Sequence, residues 1–178
     1  KADDKIFKEG VAYDYHTLYE RFRQMAFLNK GVKINFTYTK GEKLEHTFHY
    51  EGGLKEYVSF LNESHEILHN DIVYIDDTDN DTNIAVEVAM QYNTTYSPMI
   101  YSFCNNINTV EGGTHEEGFR LALNRIINKY AKDNNFLKKD DENLQTEDLK
   151  EGLTAVISVK HPDPQYEGQT KGKLGNSE

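Results

Sequence analysis

Hydrophobic residues follow two rhythms along this chain. From Val32 to Thr39 they come at every second position, as Val32, Ile34, Phe36 and Tyr38. A period of two places them on one face of a half-buried strand. Lys40-Gly41-Glu42 turns the chain into a second strand, Leu44 to Tyr50, and the pair predicts a hairpin. From Tyr15 to about Asn29 the rhythm is helical: Leu18, Phe22 and Met25 make an apolar stripe that Asn29 continues. Asp14 is its N-cap and Gly31 closes it. Leu54 to Asn62 is helical again, with Leu54, Tyr57, Val58 and Leu61 on one side. The longest helix starts at Thr114. Thr114-His115-Glu116-Glu117 reads as a capping box, and Phe119, Ala122, Leu123, Ile126 and Tyr130 form the predicted buried stripe.

Further strands are predicted at Ile72 to Ile75, Ile84 to Tyr92, Met99 to Asn105 and Gly152 to Lys160. The last carries a near-continuous apolar run (Leu153, Ala155, Val156, Ile157, Val159), which suits a strand covered on both faces. Pro162 and Pro164 stop it, because proline cannot donate to a ladder. Asp76 to Asn83 reads as a polar loop, and Asn134 to Leu149 as a polar connector with one short turn. Residues Lys1 to Val11 form a lead-in with an edge strand at Ile6-Phe7. Strands mixed with three helices, without strict alternation, predict an α+β two-layer sandwich. At 178 residues with no internal repeat, the chain reads as a single domain.

Charge narrows the function classes. The net charge is −10, the opposite of what a protein gripping DNA alone needs. The four arginines pair up on the two best helices, as Arg21 with Arg23 and Arg120 with Arg125, which leaves room for a local basic patch. Cys104 is the only cysteine, so no internal disulfide is available and a reducing cytoplasm fits. No apolar run is long enough to span a bilayer, and no signal peptide is visible. The chain opens on Lys1 and stops on Ser177-Glu178, which reads as a helix start; a fragment of a longer protein is the expectation.

Several motifs imitate chemistry. His65-Glu66-Ile67-Leu68-His69 matches the zinc-protease pattern, but it falls where a helix runs out and has no third ligand nearby. Asp77 to Asp81 starts like a calcium loop, yet Thr82 and Val88 stand where glycine and glutamate are needed. His46 and His49 fall on opposite faces of a strand and make a poor metal pair. Gly112-Gly113-Thr114 opens a helix after a strand, where anions can sit, although capping accounts for it as well. Glu167-Gly168-Gln169-Thr170-Lys171 differs from these. A glycine turn can present the Gln169 amide and the Lys171 ammonium together, two donors suited to a cluster of anionic oxygens.

Larger segments carry a resemblance. They are Leu28-Asn29-Lys30-Gly31, His49-Tyr50-Glu51-Gly52-Gly53, Val86 to Tyr92, Glu111 to Glu116 with Gly118-Phe119-Arg120, and Glu151 to Val159 onward through Ser177-Glu178. Together they make the chain similar to the transducer domain of bacterial DNA gyrase B, with the B protein of topoisomerase IV the close paralogue. The resemblance implies a mixed sheet with helices on one face and a left-handed βαβ crossover. It implies a GHKL ATPase domain before residue 1, holding ATP and Mg2+, and a cleavage (TOPRIM) domain after residue 178. This fragment alone binds neither and is expected to be inactive. Gln169 and Lys171 would contact the ATP γ-phosphate, with Lys171 catalytic, and Arg120 and Asn124 would face DNA, with Asn128 one turn further along. No metal ligand is implied. The expected partners are the gyrase A protein, DNA and a second copy of gyrase B, in an assembly of two of each that introduces negative supercoils. A stand-alone binding module, or decatenation by a topoisomerase IV, are the rival expectations.

Overall fold

The computed structural model describes residues 3, 5–7, 11–138 and 140–177. Contacts divide the chain into two compact units, Lys1–Gly53 and Leu54–Glu178, where the sequence reads as one domain. The division falls after the Gly52-Gly53 turn.

In the first unit, α1 (Tyr15–Leu28) begins where the Asp14 carboxylate accepts from the Thr17 amide. That bond holds the Asp14 pKa below the ordinary carboxylate value. β1 (Lys33–Tyr38) and β2 (Leu44–His49) form the expected antiparallel hairpin. Ala26, Phe36 and Phe48 are its buried core, with Leu18, Phe22, Ile34 and Tyr38 packed around them. His46 meets the Tyr15 hydroxyl at 2.6 Å, while His49 pairs with Glu51. At Ile6 and Phe7 the chain is a turn rather than an edge strand, since both amides donate to the Asp3 carbonyl. The predicted helix start at Ser177-Glu178 lies partly outside the described residues.

The second unit is a five-stranded mixed sheet, in the order β3-β4-β7-β5-β6, with α2, α3 and α4 against it. α2 spans Leu54–Leu61, and β3 and β4 span Val73–Asp79 and Ile84–Tyr92. β5 is Met99–Cys104, β6 Ile107–Asn108, α3 Thr114–Asp133, α4 Thr146–Lys150 and β7 Leu153–Lys160. β7 pairs antiparallel with β4 and parallel with β5. β3 extends through Asp79, beyond the predicted end at Ile75, because Asp76 to Asp79 pair with Ile84 to Glu87. Its exposed acidic side chains suit an unpaired sheet edge.

The α+β class is what the pattern of elements predicts and the mixed sheet what the resemblance implies; the placement of the helices differs. Asn62, after α2, bonds Gln91 and Thr154, which share one face of the sheet, and Tyr57 of α2 stacks near Tyr101 and Phe103 on that face. Ser102 points to the other face and meets Glu116 of α3. Helices therefore cover both faces rather than one. β7 needs this, since Leu153 to Val159 are all buried.

α2 is fastened by a buried polar cluster. Asn62 Nδ2 donates to Gln91 Oε1 at 2.9 Å, and Asn62 Oδ1 accepts from Asn93 Nδ2 and Thr154 Oγ1 at 3.0 and 2.7 Å. Removing one member strands its buried partners without water. Asn62→Ala should therefore lower the stability of this unit by about 2–3 kcal/mol in urea denaturation, with Asn93 and Thr154 still bonded to each other. A loss under about 0.5 kcal/mol, the level of a surface change, would contradict this role.

Candidate functional site

The candidate loop hangs from the end of β7. His161 is locked there by reciprocal bonds: its amide donates to Asn105 Oδ1 and its carbonyl accepts from Asn105 Nδ2, each at 2.9 Å. Pro162 and Pro164 then redirect the chain, as the sequence predicts. The stem is a narrow antiparallel ladder. Glu167 donates to the Lys173 carbonyl at 2.9 Å and Gly175 to the Gln165 carbonyl at 2.8 Å, with Tyr166 opposite Leu174. Asn176 closes its base, accepting from the Gln165 amide and donating to the Asp163 carbonyl. Lys173 and Glu167 pair across the stem at 3.0 Å, which raises the Lys173 pKa.

The tip carries Gln169, Thr170 and Lys171, all exposed. Gly168 at φ 80° and Lys171 at φ 56° make the turn, and the Lys171 amide reaches back to the Gly168 carbonyl at 3.3 Å. Lys171 Nζ stands 5.7 Å from the centre of the Tyr166 ring. Tyr166 is itself fixed, because its hydroxyl donates to the Cys104 carbonyl at 3.0 Å. Burial, with that neighbour, pushes the phenol pKa upward. Tyr166 has no counterpart in the sequence reading. The spacing of an aromatic five residues before the lysine, across a glycine turn, is the signal that could have found it.

The stem is docked on the opening of α3. Glu111 donates to the Gly172 carbonyl at 2.9 Å, Leu174 to Gly112 at 3.2 Å, and Thr114 to Leu174 at 3.1 Å. Gly113 precedes α3 as its N-cap, without a side-chain cap, so the predicted Thr114 capping box is absent. The Leu174 carbonyl takes the Thr114 amide in its place. That bond occupies one of the free amides of the first turn.

Inside α3 the predicted stripe is partly wrong. Ile126 and Tyr130 are 61% and 60% exposed, whereas Asn128 and Ala131 are buried. Asn124 and Asn128 both donate to the Leu144 carbonyl at 2.9 Å, and Asn128 Oδ1 accepts from the Leu144 amide at 2.7 Å. Their amides fasten the 143–145 connector to the helix. Arg120 pairs with Glu116 and lines a cavity of about 490 Å³ with Ile100, Ser102, Thr109, Glu116 and Lys150. Arg120 Nε is buried and has no hydrogen-bond partner among the described residues.

Beside that cavity, Ser102 Oγ bonds Glu116 Oε2 and Thr109 Oγ1, both at 2.8 Å, and Thr109 Oγ1 meets His115 Nε2 at 3.0 Å. Burial holds the His115 pKa below its ordinary 6.5, only partly offset by Glu116. The unfolded chain therefore takes up a proton that the folded one resists. The resulting stabilisation is present above about pH 6.5 and is lost as pH falls below it. His115→Gln should flatten the acid limb of the melting-temperature profile from about pH 7 to 5, and a slope identical to the parent would count against this.

The zinc-protease pattern is not on a helix. His65 to His69 follow the end of α2, and both His69 ring nitrogens are taken, by the Asp71 carbonyl at 2.7 Å and the Tyr92 amide at 3.0 Å. Among the described residues, no group of three or more His, Cys, Asp or Glu side chains is placed to hold a metal. No helix among them is long and apolar enough to cross a membrane.

This arrangement recurs in solved structures. The 43K ATPase domain of Thermus thermophilus gyrase B, solved with an aminocoumarin, superposes with TM-score 0.82 at 34% identity, over 99% of this chain and 46% of that one. A topoisomerase IV ATP-binding domain from Francisella tularensis gives 0.74 at 25% identity, over 95% and 44%. The fold is thus that found in ATPase regions of type II topoisomerases. A family model of DNA gyrase B matches residues 53–178, the span of the second compact unit and the glycine before it. The chain belongs to the DNA gyrase B family. It is 53% identical to the DNA gyrase B protein of Bacillus mycoides, over 100% of this chain and 44% of the relative. It is 55% identical to that of Streptococcus pyogenes, over 99% and 27%. The chain thus spans less than half the length of these relatives.

Proposed function

We propose that this chain is the transducer part of a gyrase B protein, in which Gln169 and Lys171 report the outermost phosphate of ATP held by a preceding ATPase domain. The observation that carries this reading is the loop itself: an exposed amide and ammonium on a glycine turn, raised on a stem locked into the sheet. A charge-assisted hydrogen bond contributes about 1.5–3 kcal/mol, so two give roughly 3–6. Moving a two-state equilibrium from 1:99 to 99:1 takes about 5.5 kcal/mol of differential binding. ADP lacks the oxygens these groups would hold. The loop can therefore distinguish the two nucleotides by enough to switch a domain arrangement.

In the whole enzyme, two gyrase B chains would close an ATP-driven gate and, with gyrase A, pass one DNA segment through another to introduce negative supercoils. ATP and Mg2+ would sit in the ATPase domain. DNA would meet Arg120 beside its cavity, with Asn124 bracing the connector behind it. The gyrase-named relatives at 53–55% identity favour supercoiling over the decatenation of a topoisomerase IV.

Nucleotide selectivity tests the loop. In the full-length protein, Gln169→Ala should reduce the preference for a non-hydrolysable triphosphate over ADP by about 10- to 100-fold. An unchanged preference would contradict the assignment of Gln169.

A further inference from the structure

We propose that the joint between Gly113 and Leu174 is the mechanical link through which the nucleotide-sensing loop moves the Arg120 helix, and that Gly113 is its positioning residue. The inference rests on the reading above and adds the connection between its two ends.

Three backbone bonds make the joint: Glu111 to Gly172, Leu174 to Gly112, and Thr114 to Leu174. They form a short parallel bridge between the stem of the loop and residues 111–114, which lead into α3. Such a ladder transmits a rigid displacement, because each bond fixes both position and direction of its partner. Gly113 permits it twice over. Its φ is 137°, where side chains are disfavoured, and a Cβ there would stand 2.4 Å from the Leu174 oxygen and 2.6 Å from its nitrogen. Only glycine lets the two backbones come this close.

Beyond the joint, the first turn of α3 is tied inward. Glu116 holds Ser102 of β5 and Arg120 one turn on. A pull on Leu174 therefore reaches Thr114, then Glu116, then Arg120, within the first two turns of α3. At the other end of the stem is the exposed tip, where Lys171 lies over the Tyr166 ring. One end is thus free to engage a phosphate and the other bears a cation that lines the cavity.

Gly113→Ala in the full-length protein, assembled with its gyrase A partner, separates the two ends. Basal ATP hydrolysis should remain within about threefold of the parent, while its stimulation by duplex DNA falls by about tenfold or more. Normal DNA stimulation in a folded Gly113→Ala enzyme would overturn the link. Lys171→Ala distinguishes this from failure of the underlying reading: normal hydrolysis in that variant removes the sensor itself, whatever Gly113 does. Should Gly113→Ala not fold, hydrogen exchange on the unaltered enzyme decides. On adding a non-hydrolysable triphosphate, the 111–117 and 165–175 segments should change protection together. A change at 165–175 with none at 111–117 would overturn the link.

Discussion

Lys171→Ala in the full-length protein is expected to lower ATP hydrolysis by about 10- to 150-fold while nucleotide still binds. The figure follows from removing one charge-assisted contact of about 1.5–3 kcal/mol from the reacting state. The starting position of Lys171 favours the effect. Its ammonium lies over the Tyr166 face, 5.7 Å away. An exposed cation–π contact contributes about 0.5–1 kcal/mol, so leaving it costs less than a phosphate returns. The fold should not suffer, because the side chain is exposed at a loop tip and the stem is held by the backbone and by the side chains of other residues. Turnover assays beside a nucleotide-binding isotherm and a melting curve check all three statements. Near-normal turnover would remove Lys171 from the mechanism.

The second large effect concerns stability. Gly152 precedes β7 at φ 70°, and a Cβ there would meet the Asn93 carbonyl at 2.3 Å and that of Thr95 at 3.0 Å. Both obstacles are backbone, and the Asn93 amide donates to Gly152 at 2.8 Å. Asn93 directly follows the Tyr92–Leu153 pair that ends the β4–β7 ladder, so its carbonyl cannot retreat without straining that pairing. Gly152→Ala should therefore cost about 3–5 kcal/mol, combining a left-handed backbone penalty with overpacking. That is a large share of the roughly 5–15 kcal/mol stability of a domain. Gly168→Ala is the control: φ is 80°, but nothing lies within 4 Å of its Cβ position, so about 1 kcal/mol is expected. Equal urea midpoints for the two variants would contradict the close-approach argument.

Much of this was legible in the sequence, and the misses share a cause. The apolar run of β7 announced a strand covered on both faces. Asp14 marked the start of α1, and the alternation from Val32 gave the hairpin. These signals are local. The expectation of helices on one face failed although the β7 run already argued against it. The α3 stripe failed because Asn128 lies inside, bonded to Leu144, where a search for apolar periodicity cannot see it. The capping box failed because its role passed to Leu174, far downstream in the chain. Gln169 and Lys171 stand out in the sequence as letters on a glycine turn, but the stem that carries them, the ring beneath Lys171 and the Gly113 joint all depend on contacts between distant segments.

The most direct measurement is a structure of the closed, full-length gyrase B dimer with a non-hydrolysable triphosphate. The account predicts Lys171 Nζ within about 2.7–3.0 Å of a γ-phosphate oxygen, with the Gln169 amide beside it. A well-ordered loop whose lysine stays more than about 6 Å from that phosphate would contradict it, since no direct hydrogen bond spans such a gap.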